Sequence, residues 1–147
     1  MKNLLFVTLI IFGFLSPISG NAQKKALKID PSMVPTDFRE YKDTLLVVDE
    51  KLLMGYSKYL KKNFEEHYSG PYKIISRKEY LNFQGGDHRF VFTGTYNYEF
   101  VGTDSKKVIK YILFDNKTGK SYETSETKYY SELMINYIKE LNAQLKS

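Results

Sequence analysis

From Arg89 to Val101 the even positions Phe90, Phe92, Tyr96, Tyr98 and Phe100 are aromatic, while Arg89, Thr93, Thr95, Asn97 and Glu99 fall on odd ones. A period of two sustained over this length predicts a strand with one face buried and one polar. Gly94 interrupts the aromatic row and predicts a bend or bulge. Gly102 to Ser105 then turns into Val108 to Phe114, which is largely apolar on both alternating sets and so reads as an inner strand. Asp115 to Gly119 has a hairpin's composition, with Gly119 at the left-handed position, and Lys120 to Thr124 returns as the last strand.

Upstream, Thr44 to Val48 is a short, partly β-branched run that fits a strand buried on both faces. Asp49 is placed to cap a helix from about Glu50 to Tyr68. One side of that helix carries Leu53, Tyr56, Leu60, Phe64 and His67, and lysines and glutamates occupy the other. Gly55 inside it costs about 1 kcal/mol against alanine. Ser69-Gly70-Pro71 ends it, and a second strand is expected from about Tyr72 to Tyr80, followed by a loop from Asn82 to Asp87. The clearest helical signal is the closing one, about Lys128 to Leu145, capped by Ser125 or Thr127. Its stripe is Tyr130, Leu133, Met134, Tyr137, Ile138, Leu141 and Leu145. The even positions from Phe90 to Phe100 are the matching partner for that stripe. The fold class expected is α+β: a two-layer sandwich of about five mostly antiparallel strands with two helices on one face. A parallel pair is permitted through the first helix by a right-handed crossover.

The first 22 residues place Lys2 before the apolar run Leu4 to Leu15, then Ser16-Pro17 and the small residues Gly20-Asn21-Ala22. This is the grammar of a cleaved signal peptide, and its apolar run is shorter than the roughly 18 residues of a spanning helix. The Asn21-Ala22-Gln23 ending resembles the leaders of secreted Bacteroidota proteins. The expected product is periplasmic or secreted and has no stable membrane anchor. Residues 23–43, punctuated by Pro31 and Pro35, form an N-terminal arm that either lies along the domain or tethers it. Residues 44–147 form a single domain. The absence of cysteine excludes a lipid-modified anchor, a disulfide framework and a thiol nucleophile. Loss of Lys2 with the leader lowers the net charge from +5 to about +4. The lysines are spread among carboxylates rather than gathered into a stripe, so nucleic acid is not a favoured partner.

No nucleophile elbow, phosphate-binding loop or dinucleotide fingerprint is present, and no cofactor is expected. Two histidines without cysteine or helical spacing do not make a zinc site. Asp115 to Gly119 reads better as a hairpin than as a calcium loop, because it lacks the distal glutamate. The catalytic candidates are Asp87, His88 and Arg89 at a glycine-rich turn, together with His67 at a helix end. These would supply the acid, base and phosphate clamp of a small ribonuclease-like hydrolase. Successive residues entering a strand point to opposite sides, which weakens that cluster. Thirteen tyrosines and ten phenylalanines without tryptophan read first as tyrosines replacing core apolar residues at sheet and helix margins, their hydroxyls reaching the rim. The alternative is a Tyr-rich face for a partner chain or glycan, with Tyr72, Tyr80, Tyr96, Tyr98, Tyr111 and Tyr122 as contributors. The leading expectation is a non-enzymatic binding or assembly module of the bacterial envelope. Its partner would be an envelope protein or a glycan, met on the polar face carrying Thr93, Thr95, Asn97 and Glu99.

Overall fold

The computed structural model describes residues 27–83 and 88–146. The leader, its cleavage site and Asp87 lie outside them. Five strands form one mixed sheet: β1 (Leu45–Asp49), β2 (Tyr72–Ser76), β3 (Phe90–Val101), β4 (Asp104–Asp115) and β5 (Lys120–Glu123), in the order β2-β1-β3-β4-β5. The first three are parallel, and β3–β4 and β4–β5 are antiparallel. Helices α1 (Tyr56–His67) and α3 (Tyr130–Lys146) cover one face, giving the expected α+β sandwich with the long central strand in its middle.

The main core lies between those helices and the sheet. Tyr56, Leu60 and Phe64 of α1 and Leu133, Met134, Tyr137, Ile138 and Leu141 of α3 meet Leu45, Val47, Phe90, Phe92, Ile109, Tyr111 and Leu113. Each wholly buried aliphatic or aromatic side chain here contributes about 1.5–3 kcal/mol of transfer free energy, which is why the stripe on α3 dictates its docking. The segment before β1 joins this core through two short 3-10 turns, Pro31–Met33 and Thr36–Glu40. Leu27, Val34 and Phe38 are buried, and the Phe38 ring lies 5.1 Å from that of Phe90. The Tyr137 hydroxyl sits 2.7 Å from the Met33 carbonyl and 3.0 Å from the Tyr122 carbonyl, tying arm, helix and β5 together.

The opposite face departs from the sequence reading. The run expected to be strand to Tyr80 stops at Ser76, and a short helix α2 (Arg77–Asn82) follows. A capping box explains the change: Ser76 accepts the Glu79 N–H at 3.2 Å while Glu79 accepts the Ser76 N–H at 2.7 Å. Tyr80 on α2 and Phe114 pack against Leu46, Val48, Ile75 and Val91, a second and smaller cluster. Val91 is thus buried, not part of a polar face.

Two further expectations are corrected. Helix α1 begins at Tyr56, not near Glu50. Asp49 ends β1 and accepts the Lys51 N–H at 3.1 Å, Lys51 adopts a left-handed φ of 50°, and Gly55 stands before the helix at φ 79°. No bulge occurs at Gly94, since β3 and β4 keep continuous register through it. What glycine supplies there is room: a Cβ would lie 3.0 Å from both Leu52 Cδ1 and the Tyr56 hydroxyl.

The aromatic row is covered only in its first half. Phe90 and Phe92 are buried, whereas Tyr96, Tyr98 and Phe100 are 47%, 49% and 75% exposed. The reason is length. A 12-residue strand extends about 40 Å, while the 17-residue α3 is about 25 Å long, so the end of the β3–β4 hairpin projects beyond the helical layer.

Candidate functional site

The chain leaves β1 for β2 through α1 on one face, and leaves β2 for β3 through α2 on the other. Strand β1 is therefore the point where the winding of the sheet reverses. In open sheets of this kind the crevice beyond the carboxyl end of that strand is where ligands bind. β1 ends at Asp49 after pairing with β3 only at Val91 and Phe92, and β3 runs on without it. The gap so created is a cleft of about 410 Å³ lined by Glu50, Leu52, Arg77, Thr93, Gly94, Thr95, Tyr96 and Ile112.

Its polar centre is Glu50, whose side chain is only 12% exposed. Arg77 Nη1 donates to Glu50 Oε1 at 2.8 Å, and the Thr93 hydroxyl donates to the same oxygen at 2.7 Å. Each group arrives by a different route: Glu50 from the end of β1, Arg77 from the first turn of α2, and Thr93 from β3. The roof is fixed by Lys107, which donates to the Leu52 carbonyl at 3.1 Å and lies 3.9 Å from the centroid of the Tyr96 ring.

Of the binding residues expected from sequence, Thr93 and Thr95 line this cleft, while Asn97 and Glu99 lie further out on the projecting hairpin and are exposed. Glu50 and Arg77 were not singled out. The sequence signals for them are the strand-end position of Glu50 and the Ser76–Glu79 capping box that starts a helix at Arg77 inside the run expected as strand.

The candidates for catalysis are dispersed. His88 Nδ1–H donates to the Thr44 carbonyl at 3.2 Å, and its ring stands 6.2 Å from that of Phe83. Arg89 is held in a carboxylate clamp, donating through Nε and Nη2 to Asp115 at 3.1 and 2.9 Å and through Nη2 to Asp37. The Asp115 hydrogen bond comes first in holding the guanidinium above its ordinary range. His67 faces Glu66 at 3.9 Å on its own helix. Among the described residues, no hydrogen bond or ion pair joins His67 to His88 or Arg89. Among the described residues, no group of three or more potential ligands gathers that could hold a metal, and no helix is long and apolar enough to cross a membrane. The tyrosines do not share one face: Tyr111 is buried, Tyr80 lies under the sheet on α2, and Tyr96 and Tyr98 project on the hairpin.

The fold is thus of the α+β class with a switch-point cleft. No family model and no curated protein matches the chain. Among solved structures it is similar to the PelC dodecamer from Paraburkholderia phytofirmans, at 13% identity over 69% of this chain and 87% of that one, with a TM-score of 0.39. A point-substituted form of the same dodecamer gives 16% identity, 70% and 88% coverage and a TM-score of 0.36. Neither likeness transfers a site or an activity.

Proposed function

We propose that this chain is an exported, non-enzymatic binding module of the bacterial envelope that holds its ligand in the cleft beyond β1. The observation carrying the reading is the coincidence of a preformed cleft with the reversal point of the sheet, lined by a mostly buried carboxylate already fixed by two donors. The leader-like first 22 residues support export. The hydrolase alternative needs His67 and His88 to act together, and each is engaged elsewhere, His88 with a backbone carbonyl and His67 beside Glu66.

The test pairs retention with turnover. Immobilised mature chain is exposed to envelope proteins and envelope glycans from the producing cell, and RNA and glycan substrates are incubated with it in solution. Binding without product is expected. Product formation without any retained partner sinks the reading, and the mass of the exported chain should correspond to a start at Gln23.

A further inference from the structure

We propose that the cleft takes a neutral, hydroxyl-rich ligand, a sugar ring of a glycan; the inference rests on the cleft being the binding site. Both described donors to Glu50 converge on Oε1, and among the described residues none reaches Oε2. A carboxylate oxygen accepts more than one hydrogen bond, so Oε2 is available as an acceptor. Arg77 is engaged through Nη1 and is 57% exposed, so it retains further N–H groups. An acceptor and a donor therefore stand side by side at the base of the cleft. Neighbouring hydroxyls of a sugar, each both donor and acceptor, match that arrangement.

Charge selects against the alternatives. Glu50 and Arg77 neutralise each other, so neither a cation nor an anion meets an uncompensated partner. A charged ligand would have to draw one of them away and leave a mostly buried carboxylate unpaired, which is costly. The rest of the lining suits a ring with polar edges and C–H faces: Thr95 is a hydroxyl residue, while Leu52 and Ile112 are apolar. The volume of about 410 Å³ lies within the range of small-ligand pockets.

The experiment titrates the purified, isotope-labelled chain with four trisaccharides that differ in charge: neutral chitotriose and maltotriose, the cationic chitosan trimer and anionic trigalacturonate. At least one neutral trimer should shift the backbone amides of Thr93, Thr95 and Tyr96. Glu50→Gln and Thr93→Val should each weaken it by about tenfold, the scale of a hydrogen bond to a charged group. Phe100→Ala, on the projecting hairpin and outside the cleft, should leave affinity unchanged. If Glu50→Gln does not fold, Thr93→Val and Thr95→Val carry the comparison. Tighter binding of a charged trimer overturns the ligand class and leaves the binding reading standing. Shifts confined to Tyr98 and Phe100, insensitive to Thr93→Val, overturn the cleft, and silence from all four overturns the proposal. Cleavage of a trimer overturns the non-enzymatic reading while leaving the sugar class intact.

Discussion

Arg89 shows how far residue identity is from residue role. Its neighbours in sequence suggested a catalytic turn, but its partners are Asp37 and Asp115, distant along the chain and invisible to any local pattern. The Asp115 side chain is 1% exposed. Burial alone would raise its pKa, yet the Arg89 guanidinium, the Lys117 N–H and the Thr118 hydroxyl together hold it below the ordinary carboxylate value. A carboxyl group depressed in the fold contributes stability above its unfolded pKa and loses it as pH falls through the folded one. Urea midpoints should therefore drop below about pH 4. Asp115→Asn should flatten that drop and cost about 1.5–3 kcal/mol, since it removes one of the two carboxylates that hold the Arg89 guanidinium. At the other end of the scale, burial first and then the Asp43 charge push the Tyr41 phenol up to about 12. Burial raises Tyr56, Tyr68, Tyr111 and Tyr137 further still. Unfolded tyrosines ionise near 10, so this stability is complete below about pH 10 and is lost as pH rises toward 12 and beyond. Tyrosinate absorbance of these residues should appear together with loss of near-ultraviolet circular dichroism, and its appearance in a still-folded chain would contradict the burial.

At the scale of elements, legibility follows how much local signal each one carries. Helix α3 and strands β3 and β4 repeat their periods long enough to be read directly, and the left-handed Gly119, at φ 70°, sits at the hairpin as its composition implies. Helix α2 carries little local signal, because its apolar content is slight and its start depends on two side chains, Ser76 and Glu79, meeting the backbone. The start of α1 differs from the face pattern's expectation because Lys51 and Gly55 both leave the helical region, which a face pattern does not report. Gly94 has a steric role in place of the bulge expected there, and it lies between Thr93 and Thr95 in the cleft lining. Gly94→Ala places a methyl group 3.0 Å from Leu52 and Tyr56 and 3.3 Å from Tyr111. It should cost about 1–3 kcal/mol by overpacking and weaken ligand binding by shifting Leu52, both measurable by denaturation and titration. Wild-type stability in that variant would show that the roof is loose. The candidate site was only half legible for the same reason as α2: Thr93 and Thr95 lie on a periodic strand, whereas Glu50 and Arg77 lie at element ends.

For the whole molecule, the class of fold was legible because two amphipathic helices and a long alternating strand admit few arrangements. The winding that makes β1 a reversal point was not, because it depends on which face α2 takes. That topology also sets an order of assembly. Strands β3 and β4 are joined by the two residues Gly102 and Thr103, with Gly102 at φ 64° as the first position of a tight hairpin demands, so every one of their pairings is local in sequence. β1 by contrast must find Tyr72 to Ser76 and then Val91 and Phe92 across long connections that carry α1 and α2, and such pairings are slow to close. Gly102→Val, whose Cβ would meet nothing within 4 Å, strains chiefly the backbone and should slow folding with little change in the unfolding rate. Val47→Ala, buried in the late-arriving β1, should mainly speed unfolding. The opposite pattern in a chevron plot would place the nucleus at β1. In the order set by the local β3–β4 pairing, the hairpin whose tip stands clear of the helices is the oldest part of each molecule's folding history, and the cleft, completed only when β1 takes its place, is the last part to form.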